Sequence, residues 1–180
     1  MSYSPNNANG QATMANSAPV VIASNQTAVP VSLSSGATLI TTTITHETAP
    51  YAIGDLLGGK LTFANAVTTA GGSGTIKSFG ITDKDSQSVD LWLFLFSENP
   101  TNTTFTENSP VDIHDTDLLN LIAVVTTGSY FTFVDNSFSF EIDDVSFKLT
   151  SGTSLYGFLM CRGAPTYTTT TALQLRLLIQ

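Results

Sequence analysis

One cysteine, two histidines and six basic residues in a chain of 180 remove several kinds of chemistry before any pattern is read. Cys161 has no second cysteine to bridge to, and its neighbours Phe158, Leu159 and Met160 form an apolar run, which predicts an inert buried thiol. One cysteine and two distant histidines cannot assemble a zinc site. Lys60, Lys77, Lys84, Lys148, Arg162 and Arg176 are dispersed against fourteen acids, for a formal charge of −8. Holding a phosphate backbone takes clustered cations, so no nucleic-acid partner is expected. No apolar run approaches the ~18 residues needed to cross a bilayer, so no membrane partner is expected either. The opening MSYSPNNANG has neither the basic nor the apolar part of a signal peptide, which predicts a product made and kept in a cytoplasm, at least until assembly.

Helix formers are scarce as well, and threonine is dense, as in TLITTTITHET and APTYTTTTALQ. That balance predicts an all-β chain. Strand-like runs recur over 38–47, 60–66, 75–82, 89–96, 121–126, 130–134, 138–142, 146–149, 154–161 and 172–179, separated by turn clusters such as AGGSGT, TDKDSQ and SENPTN. In SFSFEI, Phe138, Phe140 and Ile142 share one face, while in LWLFLF both faces are apolar, which implies burial on both sides. Phe94, Phe96, Phe131, Phe133, Phe138, Phe140 and Phe158 all fall in apolar strands and are expected in the core rather than on a stacking platform for sugars. The one helical candidate is a single turn in SPVDIHDTDLLN, capped by Asp115 or Thr116. Short strands at this spacing predict an antiparallel two-sheet sandwich of jelly-roll type, since a parallel sheet would need crossover helices.

Convergent titratable groups are few. His46 next to Glu47 offers a base and its orienter, but an exposed strand end is the expectation for the pair. Asp112, His114, Asp115 and Asp117 make the densest set of cation ligands, without the EF-hand framework, so a solvated acidic loop is the expectation. Asp83 and Asp85 in TDKDSQ suit a hairpin turn that uses their oxygens locally. AGGSGT lacks the Lys-Ser/Thr ending of a phosphate loop, and no Gly-x-Ser-x-Gly elbow occurs. The pattern calls for no catalytic residue, cofactor or metal.

The N-terminal part is different in kind. Residues 1–17 are small and polar, and are expected to order only against a partner. Two apolar bursts follow, Pro19, Val20, Val21 and Ile22, then Val29, Pro30, Val31 and Leu33. Pro19 and Pro30 exclude helix and a central strand, which leaves extended segments able to add to another sheet's edge. Residues 1–50 therefore read as an extended arm with one or two strands, and 51–180 as the sandwich. The apolar C-terminal strand ALQLRLLIQ must be covered by a strand of the same sandwich or by another subunit.

The segment NGQATMANSAPVVIASNQTAVPVS resembles a short N-terminal stretch of virion structural proteins of tailed bacteriophages, usually a variation on ANSxPVVIASDQSAVPVS, with Asn25 here in place of the usual Asp. YAIGDLLGGKLTF, GSGTIKSFGITDKDSQSVDLWLFLF and NPTNTTFTENSPVDIHDTDLL are similar to the sandwich body that follows it in head-associated proteins. The resemblance implies a capsid decoration, or cement, protein on the phage head. Such a protein would bind the major capsid protein or other virion proteins and its own copies, as a homotrimer, and would clamp capsomers through the arm. A head-fibre base or tail component, or a carbohydrate-binding sandwich for host attachment, is the alternative.

Overall fold

The computed structural model describes residues 36–180. These residues belong to one compact unit, 35–180. The arm residues Pro19, Val20, Val21, Ile22, Val29, Pro30, Val31 and Leu33 lie outside the described residues.

Threonine and β-branched residues dominate the first strand, β1 (Thr38–Ile44), and the rest of the unit follows in kind: β2 (Leu56–Phe63), β3 (Ser73–Asp83), β4 (Leu91–Phe96), β5 (Leu121–Thr126), β6 (Tyr130–Thr132), β7 (Ser137–Lys148), β8 (Leu155–Cys161) and β9 (Leu173–Ile179). The single helical turn, α1 (Asp115–Leu118), precedes β5. All strand pairings are antiparallel, in a five-stranded sheet ordered β1-β9-β3-β7-β6 and a four-stranded sheet ordered β2-β8-β4-β5. The all-β, two-sheet architecture expected from the sequence is thus present.

Three boundaries differ. The runs 138–142 and 146–149 are one strand, β7, because Asp143 and Asp144 continue the pairing to β3 through a slip at Lys77: Ile76 faces Val145 and Ser78 faces Ile142. Residues 38–44, read as the end of the arm, form the edge strand β1 on β9. The C-terminal strand itself lies inside the sheet, with Arg176 between Thr41 of β1 and Gly80 of β3. Strands of its own sandwich cover it, so its apolar sequence does not demand a second subunit.

The core fills the space between the sheets. Ile44, Phe79, Ile81, Leu175 and Leu177 from one meet Leu57, Leu91, Leu93, Leu95 and Leu159 from the other, all essentially inaccessible. Gly58 permits one close approach: at φ +84 it bends β2, and the γ-methyl of Ile44 occupies the place its β-carbon would take. Cys161 is fully buried among these residues, and burial pushes its thiol up to about 12.

Candidate interaction surface

The two sheets treat their outer faces differently. On the four-stranded sheet, Leu56, Phe96 and Phe158 form a second apolar cluster, and Phe105, Val111 and Ile113 of the connection 97–120 pack on it. The rings of Phe94 and Phe158, paired across β4 and β8, stack at 4.7 Å and 3°. LWLFLF is therefore fully buried on its core side and only partly covered on the other: Leu91, Leu93 and Leu95 face the core, Phe96 lies under the connection, and Trp92 and Phe94 are half-buried.

Two carboxylates fasten that connection. Asp117, at 3% exposure, accepts from Asn102 N and Nδ2 and from Thr103 N and Oγ1 at 2.7 to 3.0 Å. Burial pushes its pKa up, but these bonds outweigh burial and hold it below the ordinary aspartate value. Glu107 accepts from Gly58 N at 2.6 Å and from the Tyr51 hydroxyl. His114 caps α1, its Nδ1 accepting from Thr116 N. Asp112, His114, Asp115 and Asp117 thus divide between a cap, a buried anchor and exposed positions. Among the described residues no group of three or more His, Cys, Asp or Glu is placed to hold a metal ion.

The other candidates for chemistry are also engaged locally. His46 is buried, at 3% exposure, and not at an exposed strand end: its Nδ1 donates to the backbone carbonyl of Glu47 at 2.9 Å rather than to the carboxylate, and the ring packs 4.5 Å from that of Tyr167. Asp83 accepts from the backbone of Asp85 and Ser88, and Asp85 from Thr168 N and Oγ1, so TDKDSQ spends its oxygens on its own turn and the neighbouring loop. Trp92 is half-buried, with the Arg162 guanidinium 4.2 Å above its ring, which occupies the face a sugar would stack on.

On the five-stranded sheet the outer face has no such cover among the described residues. The alternation of β7 is inverted over its first half: Ser137 and Ser139 point inward at 0% and 1% exposure, while Phe140 and Ile142 stand outward at 45% and 79%. Phe138 shares their face, its ring 6.1 Å from that of Phe140, and is paired across to Phe131 of β6. Phe131, Phe133 and Val134 on the β6–β7 hairpin are exposed at 66%, 62% and 94%. The sequence expectation that Phe131, Phe133, Phe138 and Phe140 lie in the core is therefore corrected. Period-two alternation states which side chains share a face, and the inward positions here went to serines and to Tyr130, whose hydroxyl donates to Val89 O at 2.8 Å. No protein-family model matches the chain, and no curated protein or solved structure matches it. The inverted strand is the feature that sequence reasoning missed, and the signal available was the run of serines alternating with its phenylalanines.

Its open side is guarded. β6 pairs only with Ser137–Ser139, and beyond them Glu141 and Asp143 turn toward the interior along the unpaired edge. Burial, then the charges of Glu141 and Asp144, raise the pKa of Asp143. Inward charges of this kind oppose the addition of a further strand.

Proposed function

We propose that this chain is a structural subunit of a bacteriophage virion, a capsid decoration protein that binds the outer surface of the head and clamps neighbouring capsomers through its N-terminal arm. The observation that carries the reading is the outward row Phe131, Phe138, Phe140 and Ile142: a body that leaves aromatic side chains on a sheet face is built to be covered by other protein. The resemblance of the PVVIAS and AVPVS bursts to those of virion proteins supports a virion as the assembly that supplies the cover. Its partners on this reading are the major capsid protein and further copies of itself, as a homotrimer.

We read the body as a jelly roll. The orders β1-β9-β3-β7 and β2-β8-β4-β5 support this, since successive strands are distributed over two sheets in the nested fashion of two Greek keys. In this reading the arm residues from Pro19 to Leu33 add to a neighbour's sheet edge, and their apolar side chains, at ~1.5 to 3 kcal/mol each, offset the entropy of ordering them.

The test is deletion of residues 1–34. The truncated protein is expected to remain folded, with a strand-dominated circular dichroism spectrum, and to lose its binding to purified phage heads. Unchanged occupancy on heads would place attachment on the body and refute the clamp. Copy number per particle separates a decoration protein, present in register with the capsomers, from a fibre base or tail component. Specific retention on a glycan array would favour the carbohydrate-binding alternative.

A further inference from the structure

We propose that the outer face of β7, with the β6–β7 hairpin, is the surface through which copies of this chain bind one another. The proposal rests on the self-association proposed for the subunit and is independent of the virion role.

Three observations commit the surface to a second copy. The first is area. Phe131, Phe133, Val134, Phe140 and Ile142 are between 45% and 94% exposed, which leaves on the order of 600 Å² of apolar side chain open to water. That is at the top of what a monomer leaves uncovered and most of the ~800 Å² that each partner buries in a stable complex. A patch of this size needs covering from the moment the chain folds, when the partner always present in equal number is another copy.

The second is charge. The chain carries −8, yet the outward positions of this sheet hold Thr41, Thr43, Gln174, Arg176, Gly80 and Thr82 beside the aromatic row. The one carboxylate on the outer face of β7, Asp144, is paired with Lys77 at 2.5 Å. Beyond that pair the surface carries one exposed acid, Asp135 at the hairpin tip, and two exposed cations, Lys148 and Arg176, so the few charges bordering the aromatic row are of both signs and two such faces are not opposed by a single sign of charge.

The third is the guarded edge. With Glu141 and Asp143 directed inward along the unpaired side of β7, growth of the sheet by one more strand is disfavoured. Copies therefore pack sheet face on sheet face, with the phenylalanines of one set against the apolar row of the next.

The full chain tests this by sedimentation and light scattering over a concentration series. Wild type is expected to be an oligomer. The double variant Phe133→Asp, Ile142→Asp, changed at two exposed positions, is expected to keep the same circular dichroism spectrum and to weaken association at least 100-fold. A second measurement covers a variant that folds poorly: Ile142→Cys, labelled with a maleimide benzophenone, is expected to cross-link to the outer sheet face of another copy. Cys161 is buried and will not take the label. A monomeric wild type at every concentration overturns the proposal. An oligomer that survives the double substitution, with cross-links mapping to any other surface, also overturns it while leaving self-association standing.

Discussion

The ring of Phe140 lies against Gly80 of the neighbouring strand, its Cδ2 3.5 Å from where a β-carbon on that glycine would stand, and Phe138 Cε2 approaches the same point at 3.5 Å. Two outward aromatics thus lie down over a strand position that carries no side chain. The missing side chain leaves room for both rings over this position.

Gly80→Ala tests how closely they fit. These distances are ordinary van der Waals contacts, so a methyl group is accommodated, and removing glycine from a strand is expected to gain about 0.4 to 1 kcal/mol. A rise in Tm of a few degrees checks it. Gly80→Val is expected to lift both rings, seen as a change in near-ultraviolet circular dichroism with the strand signal intact.

Asp117 anchors the connection over the four-stranded sheet by accepting four hydrogen bonds. Asp117→Asn leaves donors of Asn102 and Thr103 facing an amide, at an expected cost of about 2 to 3 kcal/mol. The folded pKa lies below its ordinary value of 3.8, so the carboxylate's contribution is complete above that pH and is lost as pH falls through the folded value. Denaturant titrations are expected to show the variant and wild type converging in strongly acidic solution.

For Asp143 the sign is opposite. Its folded pKa is raised above 3.8, so the native state holds the proton more tightly and stability falls as pH rises through that window. Asp143→Asn is expected to be more stable than wild type at pH 7 and to lose that advantage below about pH 3.8. An equal Tm at both pH values would contradict it.

Glu107→Ala removes the acceptor for Gly58 N and the Tyr51 hydroxyl. The buried Tyr51 hydroxyl and the half-buried Gly58 N are left without it, at an expected total cost of about 1 to 3 kcal/mol. Hydrogen exchange is expected to rise in residues 97–113 and over Gly58, with the main core unchanged.

Much of this fold was legible in the sequence. Leu121–Thr126 falls where its pattern puts it, and Asp83 of TDKDSQ uses its oxygens on its own turn as expected, whereas the turn joins the two sheets instead of closing a hairpin and Asp85 bonds the distant Thr168. The helical turn was legible too, although its cap is His114 rather than Asp115 or Thr116. What pattern could not supply was direction. SFSFEI shows that Phe138, Phe140 and Ile142 share a side, but which side is decided by long-range pairing to β3 and by how much apolar volume the core already holds. The same limit hid the interior position of β9: an apolar strand reads alike whether its neighbours come from its own chain or from another.

The connection 97–120 has a consequence for labelling. Because it roofs one sheet and no described residue roofs the other, the two sides of the sandwich tolerate additions unequally. Leu118 and Leu119, the last residue of α1 and its cap, exposed at 47% and 85%, lie in the roof, on the side away from the aromatic row. A peptide or fluorophore inserted there projects outward from any assembly built through the five-stranded sheet, and a reporter at that place is expected to record self-association without occupying the face proposed to mediate it.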